Sequence, residues 1–110
     1  MKPNLDEECA IQIFSEKYGT DFMTRLAKLN EEVAELNEAI EIYNTLKDVR
    51  PEIVKDLLEH IDDELSDVQG TFTHLASLRL KFQQEMLINC IDKVKGRQTN
   101  PDYKRYRHGK

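Results

Sequence analysis

Two short stretches carry the most chemistry in this 110-residue sequence. Glu32-Val33-Ala34-Glu35-Leu36 and Glu64-Leu65-Ser66-Asp67-Val68 both read acid, apolar, small, acid, apolar. On a helix turning about 100° per residue, Glu32 and Glu64 border an apolar seam, and Glu35 and Asp67 stand about 60° further from it. If the two helices pack by their seams, four carboxylates converge at the edge of the core, where repulsion and desolvation are costly without cations. Hard divalent ions with oxygen ligands answer that problem. Mg²⁺ or Mn²⁺ suits it, because such ions keep waters and are shared with substrate phosphates. Acids beside a seam are also ordinary solvated positions of packed helices, and on either helix alone that reading stays open. A di-iron carboxylate bundle needs Glu-x-x-His pairs. Leu57, Thr71 and Arg105 stand three residues before the three histidines, so that signature is absent. His60, one turn before Glu64, reads as a support for that carboxylate or as an exposed side chain. Lys28, one turn before Glu32, reads as a phosphate contact or as an i,i+4 ion pair.

Four helical segments must position these groups. Ala10, Ile11, Phe14 and Tyr18 recur at helical spacing and predict a helix over about Leu5 to Tyr18, ended by Gly19, with Thr20 available to cap the next. Phe22, Leu26, Leu29, Val33, Leu36, Ile40 and Tyr43 follow at steps of 4, 3, 4, 3, 4 and 3, the seam of a long amphipathic helix. Arg50-Pro51-Glu52 reads as a helix start. The third helix carries Leu57, Ile61, Leu65, Val68, Phe72 and Leu75, with Gly70 inside it either to admit a neighbouring helix or simply tolerated. After a break near Leu80 to Phe82, a fourth helix through Met86, Leu87, Cys90, Ile91 and Val94 is expected to stop at Gly96. No stretch alternates with period two and no Asn-Gly or Asp-Gly turn occurs. The expected fold is all-α, an antiparallel four-helix bundle. Two long helices of about 27 residues, roughly 40 Å each, leave an apolar flank that an oligomer would cover.

Composition bounds the function classes. Charged residues make up 34% and only three prolines and four glycines interrupt the chain, which fits a helical globular domain spanning residues 1–110 better than disorder. No apolar run approaches the roughly 20 residues of a membrane span, and Met1 to Cys9 lacks the apolar core of a signal peptide, so the expectation is a cytoplasmic protein with no membrane partner. Cys9 and Cys90 sit in no metal-binding spacing and read as reduced, mostly buried small hydrophobes. Charge is strongly divided, net −11 over residues 1–92 and net +6 over residues 93–110. A basic end of this kind serves nucleic acid or closes over an anion held by an acidic site. The last residues, about 98–110, read as a basic tail.

At these residues the chain resembles the all-α nucleoside triphosphate pyrophosphatases, the MazG-like superfamily that includes dimeric dUTPases, dCTPases and phosphoribosyl-ATP pyrophosphatases. Glu31-Glu32-x-x-Glu35, then 28 residues, then Glu64-x-x-Asp67 matches the family pattern of two adjacent acids, a third one turn on, and Glu-x-x-Asp on the next long helix. Asp92-Lys93-Val94-Lys95-Gly96-Arg97 before Asn100-Pro101-Asp102-Tyr103-Lys104 extends the match, which spans Leu26 to Lys104. The resemblance implies that Glu32, Glu35, Glu64 and Asp67 bind Mg²⁺, with Glu31 a weaker candidate. It implies that Asn89, Asp92, Lys93 and Arg97 approach the substrate. The implied reaction is attack of an activated water on the α phosphorus of a nucleoside triphosphate, giving a monophosphate and pyrophosphate, with Glu32 or Glu35 as the base. House-cleaning of the nucleotide pool is the implied role, in a homodimer or homotetramer without nucleic acid. Base selection would fall to side chains of the first two helices such as Phe14, Tyr18 and Asn37, which also read as core or surface residues. A phosphoribosyl-ATP pyrophosphatase is the nearest enzymatic alternative, and a non-catalytic helical interaction module the alternative of another class. No P-loop is present.

Overall fold

The computed structural model describes residues 2–99, and of residues 97–99 the backbone alone. It contains four α-helices, α1 (Leu5–Tyr18), α2 (Phe22–Leu46), α3 (Val54–Ser77) and α4 (Gln83–Thr99), with no strand among the described residues. The expected basic tail falls outside the described residues apart from the backbone at its start.

Local chemistry explains most boundaries. Asn4 caps α1 by accepting from the Glu7 N–H at 2.8 Å, and Glu7 accepts in return from the Asn4 N–H at 3.4 Å, a reciprocal capping box. Gly19 ends α1 with φ 80°. Asp21, rather than Thr20, caps α2: its carboxylate accepts from the Thr24 N–H at 2.9 Å and the Thr24 hydroxyl at 2.6 Å. Those hydrogen bonds hold the Asp21 carboxyl below its usual range. A carboxylate one residue before the helix reaches the third amide, and Thr20 stands one residue too early.

Pro51 opens a 3₁₀ turn, Pro51–Ile53, so the α-helix proper begins three residues later than Arg50-Pro51-Glu52 suggests. Tighter turns of this kind commonly precede an α-helix. Arg50 and Glu52 form an ion pair across the turn. The expected break after α3 is present, with Leu80 in the left-handed region at φ 56° at a cost of about 1 kcal/mol. The expected stop at Gly96 is not: α4 runs through it to Thr99. A glycine ends a helix where the backbone turns left-handed, and among the described residues Gly19 is the glycine that does so.

α2 and α3 pack along their lengths as an antiparallel pair, Glu32 opposite Glu64 and Arg25 beside Thr71 and His74. α1 lies across α3 at Gly70, where the Phe14 ring is 3.0 Å from the position a Cβ would take. Gly70 therefore admits a neighbouring helix. α4 has no comparable packing against the others, and Leu87, Ile88, Ile91 and Val94 along it are exposed. The Cα radius of gyration is 17.6 Å, against about 13 Å for a compact chain of this length. One chain thus supplies a helix pair with a crossing helix and an outlying one.

The seam of α2 is rotated from the apolar one. Arg25, Glu32 and Ala39, at steps of seven, are its buried positions, with Leu29, Leu36 and Tyr43 beside them, whereas Val33 and Ile40 are exposed. On α3, Leu65 and Phe72 face outward and Glu64, Val68, Thr71 and Leu75 face inward. Each helix carries an apolar arc wider than one neighbour can cover, and the covered half contains Arg25, Glu32 and Glu64. Among the described residues, Ala39 and Leu75 are the buried apolar side chains. Cys9 and Cys90 are exposed, contrary to the expectation of burial, because α1 and α4 have too few neighbours to enclose them.

Candidate functional site

The antiparallel pairing brings Glu32 and Glu35, one turn apart on α2, against Glu64 of α3. One carboxylate oxygen from each lies within 4.8 Å of the others. Glu32 is 7% exposed, Glu64 is half-buried and Glu35 is exposed. The cluster is built from the seam outward, with Glu32 at the level of the core and Glu35 at the surface.

The charges within it are partly answered. Lys28 Nζ donates to Glu32 Oε1 at 3.1 Å and stands 3.5 Å from Glu31, so of the two readings for Lys28 the i,i+4 ion pair is formed. Glu32 holds the Lys28 ammonium above its ordinary range. His60 Nε2 lies 4.0 Å from Glu64 Oε1, close enough to support it when protonated, although His60 itself is half exposed. Glu32 Oε2 and Glu64 Oε2 are buried without a hydrogen-bond partner. Glu35 is pushed above its ordinary value, first by hydrogen bonding to Glu32 and then by the charges of Glu32, Glu64 and Glu31. Buried carboxylate oxygens are ordinarily paired, and an unpaired one on each of Glu32 and Glu64 is a standing electrostatic cost. Their all-oxygen donor set suits a hard divalent cation such as Mg²⁺ or Mn²⁺. Glu32, Glu35 and Glu64 could hold it.

Asp67 is not within this cluster. It is exposed one turn along α3 and lines, with Glu32, an adjoining cavity of about 210 Å³. Glu31 is exposed on the far side of Lys28. Asn89, Asp92 and Lys93 are exposed on α4 and border small cavities with Met86 that include none of the four acids. Within one chain α4 is therefore not brought against the cluster. The Arg97 side chain lies outside the described residues.

No family model, curated protein or solved structure matches this chain. The weight of a functional reading thus falls on the geometry.

Two residues of that geometry were not singled out by the motifs. Arg25 is buried, its guanidinium 4.9 Å from the centre of the Tyr18 ring. His74 is fully buried, with Nε2 at 3.1 Å from the Ser15 hydroxyl and its ring edge-on to Phe14 at 5.8 Å. Burial, and then the Arg25 charge, push His74 below its ordinary range. A heptad step back from Glu32 reaches Arg25 and one forward from Asp67 reaches His74, so the helical repeat already carried the signal.

Proposed function

We propose that this chain is a divalent-cation-dependent nucleoside triphosphate pyrophosphohydrolase, converting a nucleoside or deoxynucleoside triphosphate to the monophosphate and pyrophosphate. The observation that supports it most is the convergence of Glu32, Glu35 and Glu64 with two buried carboxylate oxygens lacking a donor. Mg²⁺ or Mn²⁺ bound there would neutralise phosphate oxygens and lower the pKa of water. Glu32 and Glu64 are held by their helices and shielded from solvent, which suits fixed ligands. Glu35, at the open side, is placed to meet water, and Glu32 or Glu35 accepts the proton as water attacks the α phosphorus. Asp67 joins from the adjoining cavity. Asn89, Asp92, Lys93 and Arg97 meet the phosphates, and the basic charge of Lys93 and Arg97 serves the triphosphate rather than nucleic acid.

The same reading includes assembly into a homodimer or homotetramer in which the bundle is completed between chains. Val33, Ile40, Leu65 and Phe72 each leave about two-fifths to half of their surface exposed, and covering each would contribute about 1 kcal/mol. A partner on that face would also bring a second α4 into play. These exposed apolar side chains favour, as a second reading, a non-catalytic helical interaction module. A panel of canonical, deoxy and modified triphosphates with Mg²⁺, with pyrophosphate and orthophosphate separated as products, tests the proposal. Release of pyrophosphate supports it; no turnover of any triphosphate, with or without metal, leaves the interaction module.

A further inference from the structure

Arg25 is 4% exposed, and no carboxylate pairs with it among the described residues. Its neighbours are Tyr18, whose ring also carries Lys17 Nζ at 5.3 Å from its centre, and His74, whose buried Nδ1 has no partner. An aromatic face returns part of the hydration a guanidinium loses. It leaves the in-plane N–H donors of the fork free for a planar or tetrahedral oxyanion.

Arg25 does not face a sealed core. With Lys28, one turn further along α2, it lines the 210 Å³ cavity walled by Phe14 and Tyr18 of α1 and by Asp67 and Thr71 of α3, and the cavity reaches Glu32. We propose that this cavity is an oxyanion subsite in which Arg25 binds a phosphate group that the carboxylate cluster does not hold. A neutral base could satisfy the donors but would leave the buried charge unpaired, so the ligand is an anion. Arg25 stands seven residues before Glu32, about 10 Å along the helix. A ligand with phosphates at the cluster can therefore present a further phosphate here. Its identity as the outer phosphate of a triphosphate rests on the function proposed above; its affinity for phosphate does not.

The test uses the full chain in excess chelator, titrated with inorganic pyrophosphate while the Arg25 Nε–H resonance is followed by NMR, with Arg25→Lys to assign the signal. A saturable shift of that resonance, with a rise in the melting temperature, is expected. Arg25→Gln, checked for helicity, should weaken pyrophosphate binding by about 10- to 100-fold, the range of a charged hydrogen bond. Should that variant fail to fold, the wild-type resonance still decides. No saturable shift, or equal saturation by acetate, overturns the phosphate subsite. A shift that follows protein concentration instead of pyrophosphate also overturns it, since a carboxylate of a second copy then fills the cavity. Absent triphosphate turnover with intact pyrophosphate binding would overturn the proposed activity and leave the subsite standing.

Discussion

Glu32 is held from one side only: Lys28 reaches its Oε1 at 3.1 Å from the preceding turn, and its Oε2 is left buried near Glu64 without a donor. One helix thus supplies half of the neutralisation that its own carboxylate needs.

Removing one of the crowded acids should separate stability from activity. Glu64→Gln should lower triphosphate turnover by about 100-fold or more, while the metal-free protein melts at the same or a higher temperature, because a repelling charge is gone. Calorimetry beside the product assay checks both. Wild-type turnover in this variant would take Glu64 out of the site.

Metal should report on Glu35. Its carboxyl is held above the ordinary 4.5 by Glu32 and the other acids, so the folded, metal-free chain takes up this proton more readily than the unfolded one. Stability should accordingly gain as pH falls into the range just above 4.5 and lose that gain as pH rises through it. Binding of Mg²⁺ or Mn²⁺ should release protons there and stabilise the fold by about 2.7 kcal/mol at a hundredfold excess over Kd, seen as a higher melting temperature. Titration in two buffers of different ionisation enthalpy measures the proton count; no release would separate Glu35 from the ion.

His74 sets an opposite slope. It is buried and resists protonation, whereas an unfolded chain protonates it near the ordinary 6.5. The unfolded state therefore binds more protons below that value, and stability should fall as pH drops through about 6.5 towards the depressed folded value. In His74→Gln this slope should disappear, which denaturant melts at pH 7 and pH 5.5 will show.

Gly70→Ala tests the crossing of α1 over α3. An alanine gains about 1 kcal/mol of helix propensity, but its methyl would sit 3.0 Å from the Phe14 ring, and overpacking costs about 1 to 3 kcal/mol. Phe14 is edge-on to both Tyr18 and His74 and has little room to yield. A net loss of about 1 kcal/mol is expected in denaturant melts, together with weaker triphosphate binding through the displaced cavity wall. An unchanged or raised midpoint would show that Phe14 gives way.

Assembly is checked on the outward face. Phe72 is 41% exposed, so Phe72→Glu should leave the helicity of a single chain nearly intact while shifting sedimentation to the monomer. Identical sedimentation of the variant and the wild type would place any interface elsewhere.

The matched acids were legible in the sequence because a helical repeat places residues on faces whatever those faces meet. The start at Leu5, the stop at Gly19 and the break near Leu80 were legible too, although the Asn4 capping box that fixes the first of them was not read. The orientation of the seam was not. Val33 and Ile40 are as apolar as Leu29 and Leu36, and only the opposing helix determines which pair is covered. Gly96 misled because its effect depends on a backbone angle that the residue permits without requiring. The place of α4 was beyond local rules altogether, since its apolar residues are exposed wherever a single chain alone is considered.

Glu7 carries a mechanical consequence. The same carboxylate that closes the capping box of α1 accepts from the Gln83 N–H at 2.8 Å through its other oxygen, and so clasps the first turn of α4. α4 is then a beam of 17 residues, about 25 Å long, fixed at one end. A tilt of about 10° at that clasp would sweep the far end by about 4 Å. Lys93 and Lys95 lie on the far half, so any such tilt would carry these basic residues furthest, by leverage from a carboxylate near the opposite end of the sequence.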